Sequence, residues 1–200
     1  KIPKHYKFKW FLSFRKITGA TNERTFISTV IPRTATADSL ILMISTVEPK
    51  IFSCLVANLN SLVFDYIVRQ KLSTNNLNYF IVEQLPIIPP ELFSPKLIRI
   101  ICKKVLELVY TSYDLKYFAN DLNYYDIPFK LNQEKRRTLI SELDAVFAIL
   151  YGIDKENLKY IIDSFNVLKR KEKEKYSEFR SKILILKAYD KFIKEKELFK

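Results

Sequence analysis

Apolar and polar residues alternate from Tyr6 to Ser13, with Tyr6, Phe8, Trp10 and Leu12 set against Lys7, Lys9, Phe11 and Ser13. A period of two predicts a strand with one buried face. Two further runs, Thr25 to Ile31 and Leu40 to Thr46, are β-branched or apolar and bounded by turn residues and prolines, the pattern of buried strands. Then the period lengthens. Phe52, Leu55, Leu59, Leu62 and Tyr66 step by three and four, which predicts one helical face, and Pro49 suits its first turn.

After Pro90 the pattern is helical throughout. Leu97, Ile98, Ile101, Val105, Leu108 and Val109 form one stripe, and Leu139, Leu143, Val146, Phe147 and Leu150 another. Ser94 is placed to cap the first helix ahead of Pro95, and Gly152 stands where a C-terminal cap belongs. Asp154 is expected to cap Lys155 to Phe165, and a final helix from Glu174 to Lys196 turns Phe179, Ile183, Leu186, Tyr189 and Ile193 to one side. Tyr113 to Phe129 reads as helix then loop. The fold class is therefore α+β, a small mixed β-sheet part over residues 1–90 followed by a mainly helical part over residues 91–200.

Two polar segments interrupt these elements. The loop Arg15 to Arg24, RKITGATNER, offers Arg15, Lys16, Thr21, Asn22 and Arg24. Beyond the helix that starts at Pro49 come Arg69, Gln70, Lys71, Ser73, Thr74, Asn75, Asn76 and Asn78. Such donors and amides bond phosphates and base edges: arginine can bind the O6 and N7 of guanine in bidentate fashion, and an amide can pair with adenine. Each has a structural alternative. Arg24 could pair with Glu23 or a backbone carbonyl, and Asn75 or Asn76 could hold a turn.

Charge adds to the picture through its distribution. The chain carries +12 overall, with +7 on residues 1–33, where Glu23 is the only acid, and +6 on residues 169–200. The middle is close to neutral. Basic segments release counterions on meeting phosphate, whereas the alternating acids and bases after Lys169 also read as a solvated helix surface. No apolar run approaches the roughly 20 residues that cross a bilayer, so no membrane partner is expected and the location is cytoplasmic. Cys54 and Cys102 sit in apolar helical stretches as reduced thiols. His5 has no companion with which to share a metal, and metal ligands are not expected.

The stretch from Asn58 to Pro86, with NSLVFDY, RQK, LNYF and EQLP, resembles the target-recognition region of adenine-methylating type IIG restriction-modification enzymes. Two more blocks agree: WFLSFRKITGATNERTFISTVIP from Trp10 to Pro32, and RRTLISELDAVFAILYG, YIIDSF and YSEFRSKILILKAYD between residues 136 and 190. The chain departs from that family at Ser73-Thr74, where Gly-Gly is common, and at Asn75-Asn76, where Thr-His is common. The resemblance implies that residues 1–90 are the C-terminal portion of a DNA target-recognition domain and residues 91–200 a helical region packed on it.

By that resemblance the chain recognises double-stranded DNA and is not an enzyme alone. The whole enzyme would flip an adenine from the duplex and methylate it with S-adenosylmethionine. An Asn-Pro-Pro-Tyr-type motif for the flipped base is missing here, and the only glycines are Gly19 and Gly152, too few for a cofactor cradle. S-adenosylmethionine, and magnesium (Mg) for cleavage, are therefore expected in the methyltransferase and nuclease portion of the same polypeptide. Catalytic residues are expected to be absent; the acid-x-lysine triplets at Glu48 and Asp114 read as chance matches. The rival reading is an interaction scaffold whose basic ends hold an acidic partner subunit, and RNA binding is a third. Asp144, off the stripe containing Leu143 and Val146, could receive an arginine or be a surface charge. Arg136 and Arg137 oppose the dipole at a helix start and call for a compensating acid or phosphate.

Overall fold

The computed structural model describes residues 2–199; Lys1 and Lys200, which begin and end the two basic segments, lie outside the described residues. The protein is α+β, with three short strands first and helices after. β1 (Trp10–Arg15) lies between β2 (Ser28–Pro32) and β3 (Leu40–Met43). Leu12 faces Val30 on one side and Met43 on the other, both in antiparallel register. The sheet is thus antiparallel and not mixed: β2 and β3 run the same way but each pairs only with β1.

β1 starts at Trp10; the expected alternation holds from Tyr6 to Trp10, where Lys7 and Lys9 are exposed, and is lost within the strand, because Trp10 through Phe14 are all buried. Helices cover one face: the Trp10 ring meets Phe52 at 5.2 Å and Phe118 at 5.0 Å. On the other face Phe11 stacks on Tyr6 at 5.4 Å. β2 starts only at Ser28, since the amides of Thr25 and Phe26 are taken by the Asp65 carboxylate at 3.0 and 3.1 Å.

The single helix expected across Phe52 to Tyr66 is two, α1 (Pro49–Leu59) and α2 (Leu62–Lys71), bent by 61°. Ser61 causes the break. Its backbone is extended and its Oγ accepts from the Phe64 amide at 3.3 Å, an N-cap that ends one helix and starts another. Leu55 and Tyr66 of the expected face are only partly buried.

α3 (Tyr79–Val82) is one turn; α4 (Pro95–Val109) is capped by Ser94, which accepts from Leu97 N at 3.2 Å. α5 (Lys116–Asp121) lies in the aromatic stretch read as helix then loop and is ended by Asn123 at φ 61°. α6 (Gln133–Leu150) closes at Gly152, whose φ of 69° a side chain rarely adopts. α7 (Lys155–Asp163) has the Asp154 cap, at 2.8 Å from Asn157 N. The expected last helix is instead α8 (Asn166–Tyr176) and α9 (Arg180–Phe192), separated by Ser177 at φ 62°. Its buried face is Ile185, Ala188, Tyr189 and Phe192, while Ile183 and Ile193 are exposed.

Buried side chains from Tyr6 to Leu198 form one cluster, continuous across residue 90. Both cysteines are free; Cys54 is buried and Cys102 half-buried, its Sγ 3.6 Å from the Lys50 carbonyl. No single helix among the described residues is long and apolar enough to cross a membrane.

Candidate functional site

The chain leaving β1 and the chain leaving α2 meet. Leu77 N donates to the Lys16 carbonyl at 2.8 Å, Thr18 N donates to the Asn75 carbonyl at 3.0 Å, and Ile17 opposes Asn76 in an isolated antiparallel bridge. The two polar segments selected from the sequence, some 50 residues apart, therefore form one continuous surface.

The arginines expected on that surface turn into the fold. Arg15 Nη2 donates to Thr18 Oγ1 at 3.1 Å and to the Arg24 carbonyl at 3.2 Å. Arg69 Nη2 donates to the carbonyls of Asn22 and Glu23 at 2.8 and 3.1 Å, and its guanidinium lies 3.9 Å over the Phe165 ring. Burial lowers the Arg69 pKa, with the Asp65 carboxylate acting against it. Arg24 meets neither Glu23 nor a carbonyl: Nη2 donates to Asp144 Oδ2 at 3.0 Å. Glu23 pairs instead with Lys171 at 2.7 Å. All three arginines brace the loop from Thr18 to Phe26, and Asp65 holds its far end.

What the braces present is a set of small polar groups. Thr21, Asn22, Gln70, Lys71, Ser73 and Asn75 are exposed. Lys16 is half-buried and paired with Asp38 at 2.5 Å. Asn76 is half-buried too, and its backbone carbonyl accepts from Thr74 Oγ1 at 3.1 Å, so the turn is held by the Thr74 hydroxyl and not by an asparagine side chain. Tyr79 and Phe80, which sequence reasoning passed over, are 65% and 59% exposed at the start of α3. The signal was present: in a one-turn helix whose Ile81 is buried, two adjacent aromatics cannot share that face. Amides, hydroxyls, an ammonium group and flat rings suit binding to phosphates and bases.

The residues that carried the family resemblance serve mostly as joints. Asn58 Oδ1 accepts from Ile88 N at 2.8 Å while its Nδ2 donates to the Tyr151 hydroxyl at 2.7 Å; that hydroxyl donates to the Pro86 carbonyl at 2.8 Å. Burial pushes the Tyr151 hydroxyl up to about 12. Asn60 Nδ2 donates to the Ser28 carbonyl at 2.9 Å, and its Oδ1 accepts from Ser28 N at 3.0 Å.

In the basic tail, Lys169 and Lys182 share Asp163, Lys171 binds Glu23, and Arg180 reaches Glu134 and Glu178. At the start of α6, Arg137 Nη2 donates to the Tyr176 hydroxyl at 2.8 Å and lies near Glu134 and Glu172 at 3.9 Å, the compensating acids its position called for. Arg136 donates to the Leu108 carbonyl at 2.7 Å. Comparison with family models, with curated proteins and with solved structures finds no match to this chain.

Proposed function

We propose that this chain is a target-recognition and helical portion of an adenine-methylating restriction-modification enzyme, binding double-stranded DNA and non-catalytic by itself. The observation that carries the reading is the convergence of the loop after β1 with the loop after α2. Together they display Thr21, Asn22, Gln70, Lys71, Ser73 and Asn75 on backbone fixed by three inward arginines. A rigid scaffold bearing exposed amides is what base reading requires, because base contacts specify only when the backbone holds register.

In this reading Lys71 and the basic segment before β1 contact phosphates, and the amides of Gln70, Asn22 and Asn75 read base edges. The helical part, joined to the sheet through Asp144 and Tyr151, fixes the distance to the methyltransferase portion of the same polypeptide. S-adenosylmethionine belongs to that portion. The cellular location that accords with this role is the cytoplasm.

Selection of bound duplexes from a randomised DNA pool, at two salt concentrations, tests the proposal. One enriched motif that survives the higher salt is expected. Absence of binding at both salts would overturn DNA recognition and favour the scaffold that holds an acidic subunit.

A further inference from the structure

A cavity of about 310 Å³ opens between β2, α1, α4 and α6. Val56, Val105, Ile140 and Leu143 supply its apolar walls. Arg24, Arg136 and Asp144 line it as well, so the polar groups gather among apolar ones, the usual composition of a small-molecule site. Its volume stands at the small end of such sites, which run from about 300 to 1,000 Å³.

Charge in the cavity is unbalanced. Both oxygens of Asp144 are occupied: Oδ1 accepts from Leu62 N at 2.7 Å and Oδ2 from Arg24 Nη2 at 3.0 Å. Two guanidinium groups thus stand beside one carboxylate. Arg24 Nη1 is buried without an acceptor, a state that costs free energy unless something bonds it. Arg136 is anchored by one nitrogen on the Leu108 carbonyl at 2.7 Å, which leaves the rest of its fork for a ligand.

We propose that this cavity binds a small apolar carboxylate, a molecule of one or two rings or a short acyl chain bearing a single negative charge. The apolar body lies between α1, α4 and α6, and the carboxylate accepts from Arg136, beside the positive charge of Arg24. A dianion fits less well because Asp144 repels the second charge. A neutral body of the same shape forgoes the charge-assisted bond to Arg136. Its walls include none of the exposed polar residues, although Arg24 and Asp144 also brace the loop that carries Thr21 and Asn22.

Isothermal titration of the chain with 2-naphthoate and with the neutral 2-naphthamide tests this, together with amide chemical-shift changes on the unmodified protein. Saturable binding of one 2-naphthoate is expected, with shifts at Val56, Val105 and Ile140 and not at Lys71 or Asn75. The amide should bind roughly tenfold to a hundredfold more weakly, the usual value of a hydrogen bond to a charged group. Arg136→Gln should weaken 2-naphthoate far more than 2-naphthamide; Ile140→Trp should fill the cavity and stop both. Equal affinity for the two probes, shifts confined to other surfaces, or no saturable binding of 2-naphthoate would each overturn the proposal, and the shift map decides even where a variant does not fold.

Discussion

Arg24 Nη2 donates to Asp144 Oδ2 at 3.0 Å across 120 residues of chain, and the other oxygen of that carboxylate accepts from the Leu62 amide at 2.7 Å. One acid on α6 therefore holds both the loop that leads into β2 and the first turn of α2. Those two elements feed the exposed polar surface: the loop carries Thr21 and Asn22, and α2 ends in Gln70 and Lys71. Burial pushes the Asp144 carboxyl up, while Arg24 and the Leu62 amide pull it down. A buried pair of this kind does more to fix an arrangement than to add net stability.

Breaking the pair from one side is costly because the other charge stays behind. Asp144→Ala should lower stability by about 3 kcal/mol, read from the urea midpoint. Asp144→Asn keeps an acceptor for Leu62 and should cost less. An alanine variant as stable as the parent would show that Arg24 finds water or another acceptor with ease.

Gln70, Lys71, Ser73 and Asn75 are exposed, whereas Arg69 is inside with its guanidinium on Phe165. Replacing the four exposed residues with alanine together should abolish DNA binding while changing stability by no more than about 0.5 kcal/mol for each site. Arg69→Ala should do the reverse first, lowering the thermal midpoint through loss of the ring contact and the bonds to Asn22 and Glu23. Unchanged DNA binding by the fourfold variant would remove this surface from consideration.

The sequence made the elements and the two polar segments legible because periodicity and punctuation are local properties. Helix caps at Ser94 and Asp154 were visible for that reason. What escaped it was set by distant partners. The orientation of Arg24 depends on Asp144, 120 residues away, and β2 is shortened by Asp65. The alternation in β1 disappears because chain from both directions covers it. Ser61 was readable as a cap within the apolar run and was passed over, since the run kept its spacing through the break. In α9 the phase was misread because Ile185 and Phe192, apolar positions beside the chosen stripe, were passed over, and they face inward with Ala188 and Tyr189.

Asp163 sits between Lys182 and Lys169, and the hydrogen bond from Lys182 does most to hold its carboxyl below the ordinary value of 3.8. A depressed acid contributes stability above its unfolded pKa and loses it as pH falls through the folded one. Asp163→Asn should therefore be less stable than the parent at neutral pH, by an amount constant down to about pH 4. Below that the two urea midpoints should converge. A gap that persists into strong acid would assign the contribution of Asp163 to shape and not to charge.

Tyr151 provides the complementary case at high pH. Its hydroxyl accepts from Asn58 and donates to the Pro86 carbonyl, tying α1, the segment before Pro90 and the end of α6 together. Tyr151→Phe strands Asn58 in a partly buried site and leaves the exposed Pro86 carbonyl to water, so at neutral pH it should cost about 1–3 kcal/mol. Burial raises the folded hydroxyl from 10.0 to about 12. A raised group favours the fold in its protonated form, so this contribution is whole below pH 10 and fades as pH climbs through about 12. The parent and the phenylalanine variant should accordingly keep a constant difference in urea midpoint up to pH 10 and approach each other above it. Tyr6, also raised to about 12, is present in both proteins and cancels from the comparison. A difference that does not narrow, with tyrosinate absorbance showing Tyr151 ionised, would mean that the joint survives loss of the proton and that Asn58 alone holds it.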